Sequence, residues 1–589
     1  MPPRPFPLTP APWLRRYRRA DLGSDLLAGV TVAVMLVPQG MAYALLAGMP
    51  PVSGLIAATL PLIAYALVGS SRALAVGPVA IVSLLTFEAV HRLAEPGSAD
   101  YLALAATLAL LVGVIQLGLG LIRGGILVNF LSHAVVSGFT SAAAIVIGLS
   151  QLRHLVGVPL AGGQPLGTLL DLAHRLPEVH LTTLALGVGA IALLLISRRV
   201  ARRFPGPLLV VVLGTAAVTL FGLDGAGVRT IGTVPGGLPA FVWPTPSLAD
   251  VWALLPTAFT IAFVGFMESI AVARSLAAKE GEQVDADREL TGLGLANLVA
   301  GVLAAFPVTG GFSRSAVNAQ AGARSGLASV ITALLMLLTL LLFTPAFHDL
   351  PQAILGAIVV VAVSGLVDLR EARHLWALRR SDGAVWMLTF AGTLLIGVEP
   401  GLLVGIGVSL ATFVVRSAFP HVASVGWLAE QGVWRNLKRY PDAWAPPGVA
   451  VLRFDAALYF ANVGFLRDTV ERTLAHRPDL TGLVLDLGGA HDIDGVGVET
   501  LHQLLVDLEQ RGLRVAVAGL KGPVRDVLAR AHWSEERRAQ VAWLAPEHAL
   551  RAWGLAVAAE TQRADPPAPD PVRASAREAG AATPPTRQD

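Results

Sequence analysis

The chain has 589 residues, 54% of them hydrophobic and only 14% charged, against roughly 25% charged in soluble globular proteins. With a mean hydropathy of +0.64 it reads as a polytopic membrane protein followed by a shorter soluble part. A net charge of +3 and the lack of any basic-aromatic cluster argue against nucleic acid as a partner, and zero cysteines exclude disulfides, thiolate metal sites and cysteine nucleophiles.

Residues 1–22 are Pro- and Arg-rich, and Arg15, Arg16, Arg18 and Arg19 precede the first apolar run, which predicts a cytoplasmic N-terminal segment. That run is too long for a signal-peptide core, so no cleavable signal is expected. The first span is predicted over about 26–48, with a break or kink at Pro38-Gln39-Gly40. A second follows over about 53–69. The third begins in Gly/Pro-rich sequence, Ala73 to Ala80, where Pro78 suits the first turn of a helix. From there to Val90 a helix reaches only about 20 Å, some two thirds of the hydrocarbon core. An extended stretch leading into a half-helix is therefore expected.

Further spans are predicted at about 103–122, 126–150, 181–198, 206–222, 255–277, 288–306, 313–323, 327–345, 351–367, 384–397 and 400–417, fourteen in all. An inside start then places the arginine-rich loops at 197–203 and 370–380 in the cytoplasm, together with both termini. Spans three and ten are both short, both preceded by Gly/Pro-rich sequence, and both third in a set of seven. Such a pair points to an inverted-repeat transporter with its site between the two.

The stretch from Phe259 to Asn318 carries the two charges that matter most. Glu268 lies inside an apolar helix, and Arg314 follows the broken segment Pro307 to Phe312. Ionisable residues at membrane depth are costly and are functional candidates. Glu268 is read as a proton carrier or as a fixed partner for Arg314. Arg314, at the start of a half-helix, is read as an anion contact, since a guanidinium stays charged and offers a planar donor fork. The alternative is a structural arginine capping a carbonyl or pairing with Glu268. Ser313 and Ser315 flank it and either donate to an anion or cap the helix. Gln39 and Tyr43 share one face of the first span and either bind an anion or tie helices together. Glu399 lies in a tight turn and is read as structural, and Glu88 as solvated.

From about 447 strands and helices alternate. Strands are predicted at Val449–Phe454, Leu483–Leu487 and Leu513–Ala518, and helices at Phe465–Leu474, Val498–Leu508 and Pro523–Ala531, which argues for a small α/β domain. The expected division is 1–22 N-terminal segment, 23–420 membrane domain, 421–446 linker, 447–561 α/β domain and 562–589 disordered tail.

Three stretches resemble the SulP anion transporters, the bacterial and plant relatives of solute-carrier family twenty-six. They are Val37-Pro-Gln-Gly-Met-Ala-Tyr-Ala44 with Pro51 to Leu55 and Gly77-Pro78-Val79, then Phe266 to Ala271, and Thr309 to Asn318. The α/β domain resembles the sulfate transporter and anti-sigma antagonist module, STAS. The resemblance implies fourteen helices in two inverted seven-helix repeats. A core of spans one to four and eight to eleven would move against a gate made by the rest. The anion would lie between the half-helix starts, at Gly77, Pro78, Val79, Phe312, Ser313, Arg314 and Ser315, with Gln39 and Tyr43 nearby. The stretches at Glu268 and Arg314 are similar to plant sulfate/proton symporters. Proton-coupled sulfate uptake by a homodimer in a bacterial inner membrane is therefore expected, with bicarbonate or a C4-dicarboxylate, or an exchanger or channel, as alternatives. Protons and the lipid bilayer are the other expected partners. No enzymatic motif and no cofactor or metal site is expected. The loop His491 to Gly497 matches the one in which anti-sigma antagonists carry a phosphorylatable serine, and Gly495 stands at that position, which puts a phospho-switch in doubt.

Overall fold

The structure is a computed structural model that describes residues 10–11, 13–14, 17–126, 132–160, 165–200, 206–280, 282–531 and 533–555. Arg15, Arg16, Arg202, Arg203 and the expected tail 562–589 lie outside the described residues. The chain divides into two units, Met1–Ala411 and Thr412–Asp589.

The first half of the membrane unit runs α1 (Leu22–Leu46), α2 (Pro51–Ala57), α3 (Leu60–Val68), β1 (Val76–Gly77), α4 (Ala80–Val90), α5 (Ala99–Leu121), α6 (His133–Ser150), α7 (Leu152–Val156), α8 (Pro165–His174), α9 (Leu181–Val200) and α10 (Gly206–Phe221). The second half runs α11 (Leu248–Glu280), α12 (Ala286–Val302), β2 (Thr309–Gly310), α13 (Phe312–Gln320), α14 (Leu327–Leu342), α15 (Gln352–Ser364), α16 (Leu369–Leu378), α17 (Arg380–Leu395) and α18 (Val398–Ala418). Each of the fourteen expected spans has a helix or half-helix counterpart. Among the described residues, seven helices are long and apolar enough to cross a membrane unaided. The protein is a polytopic α-helical membrane protein with a soluble α/β unit after it.

Three expectations need correction. The break at Pro38 does not occur, and α1 runs through it unbroken. Its neighbour supports it there: a Cβ on Gly54 would sit 1.9 Å from the Gly40 carbonyl, so two glycines let the backbones touch and hold the helix. The break falls instead in span two, between α2 and α3 at Ala58-Thr59. Pro78 is also outside its helix, since Val79 is the extended N-cap of α4 with φ −135°. That leaves the Pro78 carbonyl free of the helical ladder.

Helix packing follows from small residues, since lipid gives helices no hydrophobic drive to associate. A Cβ at Gly113 of α5 would meet the Leu298 backbone nitrogen at 2.7 Å, and one at Gly294 of α12 would meet that of Leu117 at 2.5 Å. The two helices therefore lie backbone to backbone. Buried charges are used at the ends of spans. Glu289 accepts from Tyr65 Oη at 2.6 Å, from the Ser70 amide and hydroxyl at 2.7 Å each, and from the Ser71 amide at 2.9 Å. Asp25 accepts from the Arg324 and Ser325 amides at 2.7 and 3.1 Å.

The soluble unit has a five-stranded sheet, built from β3 (Val422–Leu428), β4 (Val433–Asn436), β5 (Val449–Phe454), β6 (Gly482–Asp486) and β7 (Arg514–Ala518) in the order β4-β3-β5-β6-β7. Helices α19 (Val463–His476) and α20 (Gly495–Gln510) make the crossovers, so β5, β6 and β7 are parallel. Side chains alternate across the sheet: Leu452, Leu485 and Val517 face one apolar core, while Val451, Val484 and Ala516 face another rich in tryptophan. The segment 421–446, expected as a linker, carries β3 and β4, and β3 pairs antiparallel with β5.

Candidate functional site

β1 and β2 pair antiparallel, with Val76 opposite Gly310 and Gly77 opposite Thr309. Each short strand leads into a half-helix, α4 or α13. The starts of both helices are thereby tied to one two-rung ladder, and each offers unpaired N–H groups and partial positive charge. Glycine and proline at these positions are what stop the chain from continuing as helix on the strand side.

The ladder is braced from two neighbouring helices. Thr309 Oγ1 donates to the Gly265 carbonyl of α11 at 2.7 Å, and Ser269 Oγ accepts from the Gly310 amide at 2.9 Å. Asn297 of α12 binds Val308 in both directions, at 2.8 and 2.9 Å, and donates to Gln116 of α5 at 2.9 Å. Sequence reading missed Gln116, Ser269 and Asn297. The available signal was an uncharged polar residue isolated in an apolar helix, which must find a partner where there is no water.

Arg314 lies in the first turn of α13 and is only 2% exposed. Its Nη1 donates to the Pro78 carbonyl at 2.7 Å, across to the other half-helix. Nε and Nη2 are buried with no protein partner. A Cβ on Gly311 would lie 2.8 Å from Nη2, and one on Gly77, where φ is +154°, would lie 3.3 Å away. The two glycines therefore make the space the guanidinium fills. One of its edges is structural, and two of its nitrogens are uncommitted. Tyr43 and Glu268 stand within electrostatic reach of it.

Not every expected residue has free donors. Ser315 Oγ donates to the Gly311 carbonyl at 2.7 Å and accepts from the Ala75 amide at 2.9 Å, so its hydroxyl braces the ladder. Phe312 and Ser313 are exposed, and Gly77, Pro78, Val79, Gln39 and Tyr43 are buried. Glu268 lines a cavity of about 480 Å³, together with Ile81 from the start of α4, Phe312 from the start of α13, and Phe139. Its Oε2 is buried without a partner, and among the described residues no ion pair joins it to Arg314. Arg314 does not itself line this cavity, whose walls are mostly apolar. Glu399 accepts from Thr257 at 3.1 Å, and Glu88 pairs loosely with Arg92 at 3.7 Å. In the soluble unit Gly495 opens α20, and a side chain added there would meet open space.

Residues 22–389 match the model of the sulfate permease family, and residues 440–542 match the STAS domain. The chain belongs to the sulfate permease family. It carries a STAS domain in its soluble unit. A probable sulfate transporter 4.2 of Arabidopsis thaliana is 38% identical over 539 residues, covering 88% of this chain and 79% of that protein. A probable sulfate transporter of Mycobacterium tuberculosis is 36% identical over 518 residues, covering 88% and 92%. Among solved structures, the murine anion transporter solute carrier 26 family member A9 in its inward-facing state matches with a TM-score of 0.85 at 26% identity, over 92% of this chain and 93% of that one. This is a family of membrane transporters, and the paired half-helices are the part of the SulP fold on which the candidate residues converge.

Proposed function

We propose that this protein is a secondary active anion transporter that carries sulfate inward with protons, by elevator-like alternating access. The observation that carries the reading is the Arg314 guanidinium. It is buried between two half-helix starts, bound on one edge to Pro78 and uncommitted at Nε and Nη2. Donors of that kind suit an oxyanion. The relatives named as sulfate transporters favour sulfate among oxyanions. Glu268, a carboxyl on the cavity wall with its Oε2 buried and unpartnered, supports the reading that it takes up and releases the proton. In this reading the arginine-rich loops and both termini are cytoplasmic, and the membrane is a bacterial inner membrane in which the chain works as a homodimer.

The test is uptake into proteoliposomes with and without a pH step, beside equilibrium anion exchange. Glu268→Gln imitates the protonated carboxyl. It is expected to keep exchange and to lose accumulation driven by an inward proton gradient. Accumulation at the wild-type level would remove Glu268 as the coupling group. Competition decides the anion: if excess sulfate leaves uptake untouched while bicarbonate or fumarate abolishes it, sulfate is the wrong substrate.

A further inference from the structure

A second pocket lies apart from the paired half-helices. It has a volume of about 190 Å³ and is built by Arg153 and His154 of α7, Thr183 of α9, Arg229 from the loop after α10, and Gln352 at the start of α15. From this pocket α9 runs toward Arg198 and Arg199, and α15 runs toward the arginines of 370–380. The pocket is thus at the end of the membrane unit opposite the arginine-rich loops. With those loops cytoplasmic, as the proposed function has them, it opens outside, where short loops ordinarily avoid arginine.

The pocket is basic and lacks counter-charge. Among the described residues no ion pair joins Arg153 or Arg229 to a carboxylate. The carboxylate that shares a neighbouring cavity with Arg153 is Glu88, and it pairs with Arg92 at 3.7 Å instead. The Arg153 Nε–H donates to His154 Nε2 at 3.2 Å. No hydrogen bond from the terminal nitrogens of Arg153 is seen among the described residues, and Arg153 lines this pocket and a neighbouring one. Arg229 is exposed. Its backbone is fixed, because its carbonyl accepts from the Gln352 amide at 3.0 Å and Gln352 Nε2 donates to the neighbouring Thr230 carbonyl at 3.2 Å. The rim is shaped by Gly157, whose φ of +73° turns the chain after α7. Pockets for drug-sized ligands run to about 300–1,000 Å³, so this one is suited to something smaller.

We infer that this pocket binds a small free oxyanion at the outer face, as a second anion site separate from Arg314. Two guanidinium groups and an amide are the chemistry that recognises such an ion, while the Thr183 hydroxyl is spent on His180 Nδ1 at 2.7 Å.

The experiment is equilibrium binding of radiolabelled sulfate to the full-length protein in nanodiscs of neutral lipid. The wild-type protein is expected to bind two sulfates per chain, and R153Q/R229Q one. R314A is expected to keep one saturable site, which R153Q/R229Q then removes. A single wild-type site that R153Q/R229Q leaves unchanged overturns the inference, and that arm needs no change at Arg314. Displacement of the R314A-bound sulfate by anionic lipid in the nanodisc also overturns it, because the pocket would then hold a head group. Loss of proton-driven uptake in E268Q, or a different transported anion, would bear on the proposed function and leave this stoichiometry test standing.

Discussion

The half-helices α4 and α13 are matched in geometry and unmatched in chemistry. Their strands pair rung for rung, and each helix starts immediately beyond. Yet α4 opens with Ala80-Ile81-Val82, while α13 opens with Phe312-Ser313-Arg314. The repeat supplies two helix starts, and the sequence supplies one charge. That single guanidinium serves both halves, since it belongs to α13 and donates to Pro78 before α4. A second arginine on α4 would place like charges together at membrane depth, where repulsion is poorly screened. Under the proposed function, the asymmetry would give the anion one fixed charge, with the partial charges of two helices added to it.

The largest test of this comparison is Arg314→Ala. If the charge is indispensable and the helix starts only assist, anion binding should fall by at least about 100-fold, as expected when several kcal/mol of charge pairing in a dry site is removed. The loss should hold at every pH. Arg314→Lys keeps the charge but not the fork, and should recover part of the affinity. Equilibrium binding by both variants in the R153Q/R229Q background, where the proposed outer site is removed, reads this directly. Wild-type affinity in Arg314→Ala would mean that the two helix starts suffice and the arginine is a brace.

The two glycines sharpen the comparison by separating position from fold. Gly311→Ala puts a methyl 2.8 Å from Nη2 in a backbone with φ of −94°, which alanine adopts freely. The flexible guanidinium must move, so binding should weaken by about tenfold, some 1.4 kcal/mol, with thermal stability nearly unchanged. Gly77→Ala puts its methyl farther away, at 3.3 Å, but at φ +154°. It should cost stability, roughly 1 kcal/mol, as well as some affinity. Side-by-side melting and binding curves check the split. Equal losses of stability in both variants would show that the space at Gly311 is needed for packing rather than for placing Arg314.

Much of this arrangement was legible in the sequence because its causes are local. Half-helices announce themselves through Gly77-Pro78 and Gly310-Gly311, and a lone arginine or glutamate in apolar sequence is conspicuous. What was hidden depends on partners far along the chain. Pro38 looked like a break, but Gly40 rests against Gly54 and the helix persists. Ser315 could either donate to an anion or cap the helix, but its hydroxyl donates to the Gly311 carbonyl and accepts from the amide of Ala75, just before the other half-helix strand. Gln116, Ser269 and Asn297 gave no periodic signal at all, and their role exists only once α5, α11 and α12 are assembled around the ladder. β3 and β4 were unread for a similar reason: a short edge hairpin after the last span looks like a connection until β5 pairs with it.

The smallest expected effect on the anion site comes from the other unit, and it marks the outer limit of the comparison. Asp486 ends β6 and is 9% exposed. Burial holds its carboxyl above the ordinary carboxylate range, against the lowering effect of the Gly488 amide it accepts from at 3.0 Å. A group whose pKa is higher in the folded chain than in the unfolded one favours folding most at low pH. As pH rises past about 4, the ordinary value, the unfolded chain releases this proton first and the native state loses ground until the raised value is passed. Asparagine cannot ionise. Asp486→Asn should therefore slow hydrogen exchange of the β6 amides several-fold at neutral pH and match the wild type below about pH 4, where the carboxyl is protonated in both states. Sulfate binding should not change, because every candidate anion ligand, at Arg314 and in the outer pocket alike, lies in the other unit, no later than Gln352. Faster exchange in Asp486→Asn at neutral pH would mean that the attraction of Arg453 outweighs burial. A change in sulfate affinity would mean that charge in the soluble unit weighs on anion binding, and that Arg314 does not set it alone.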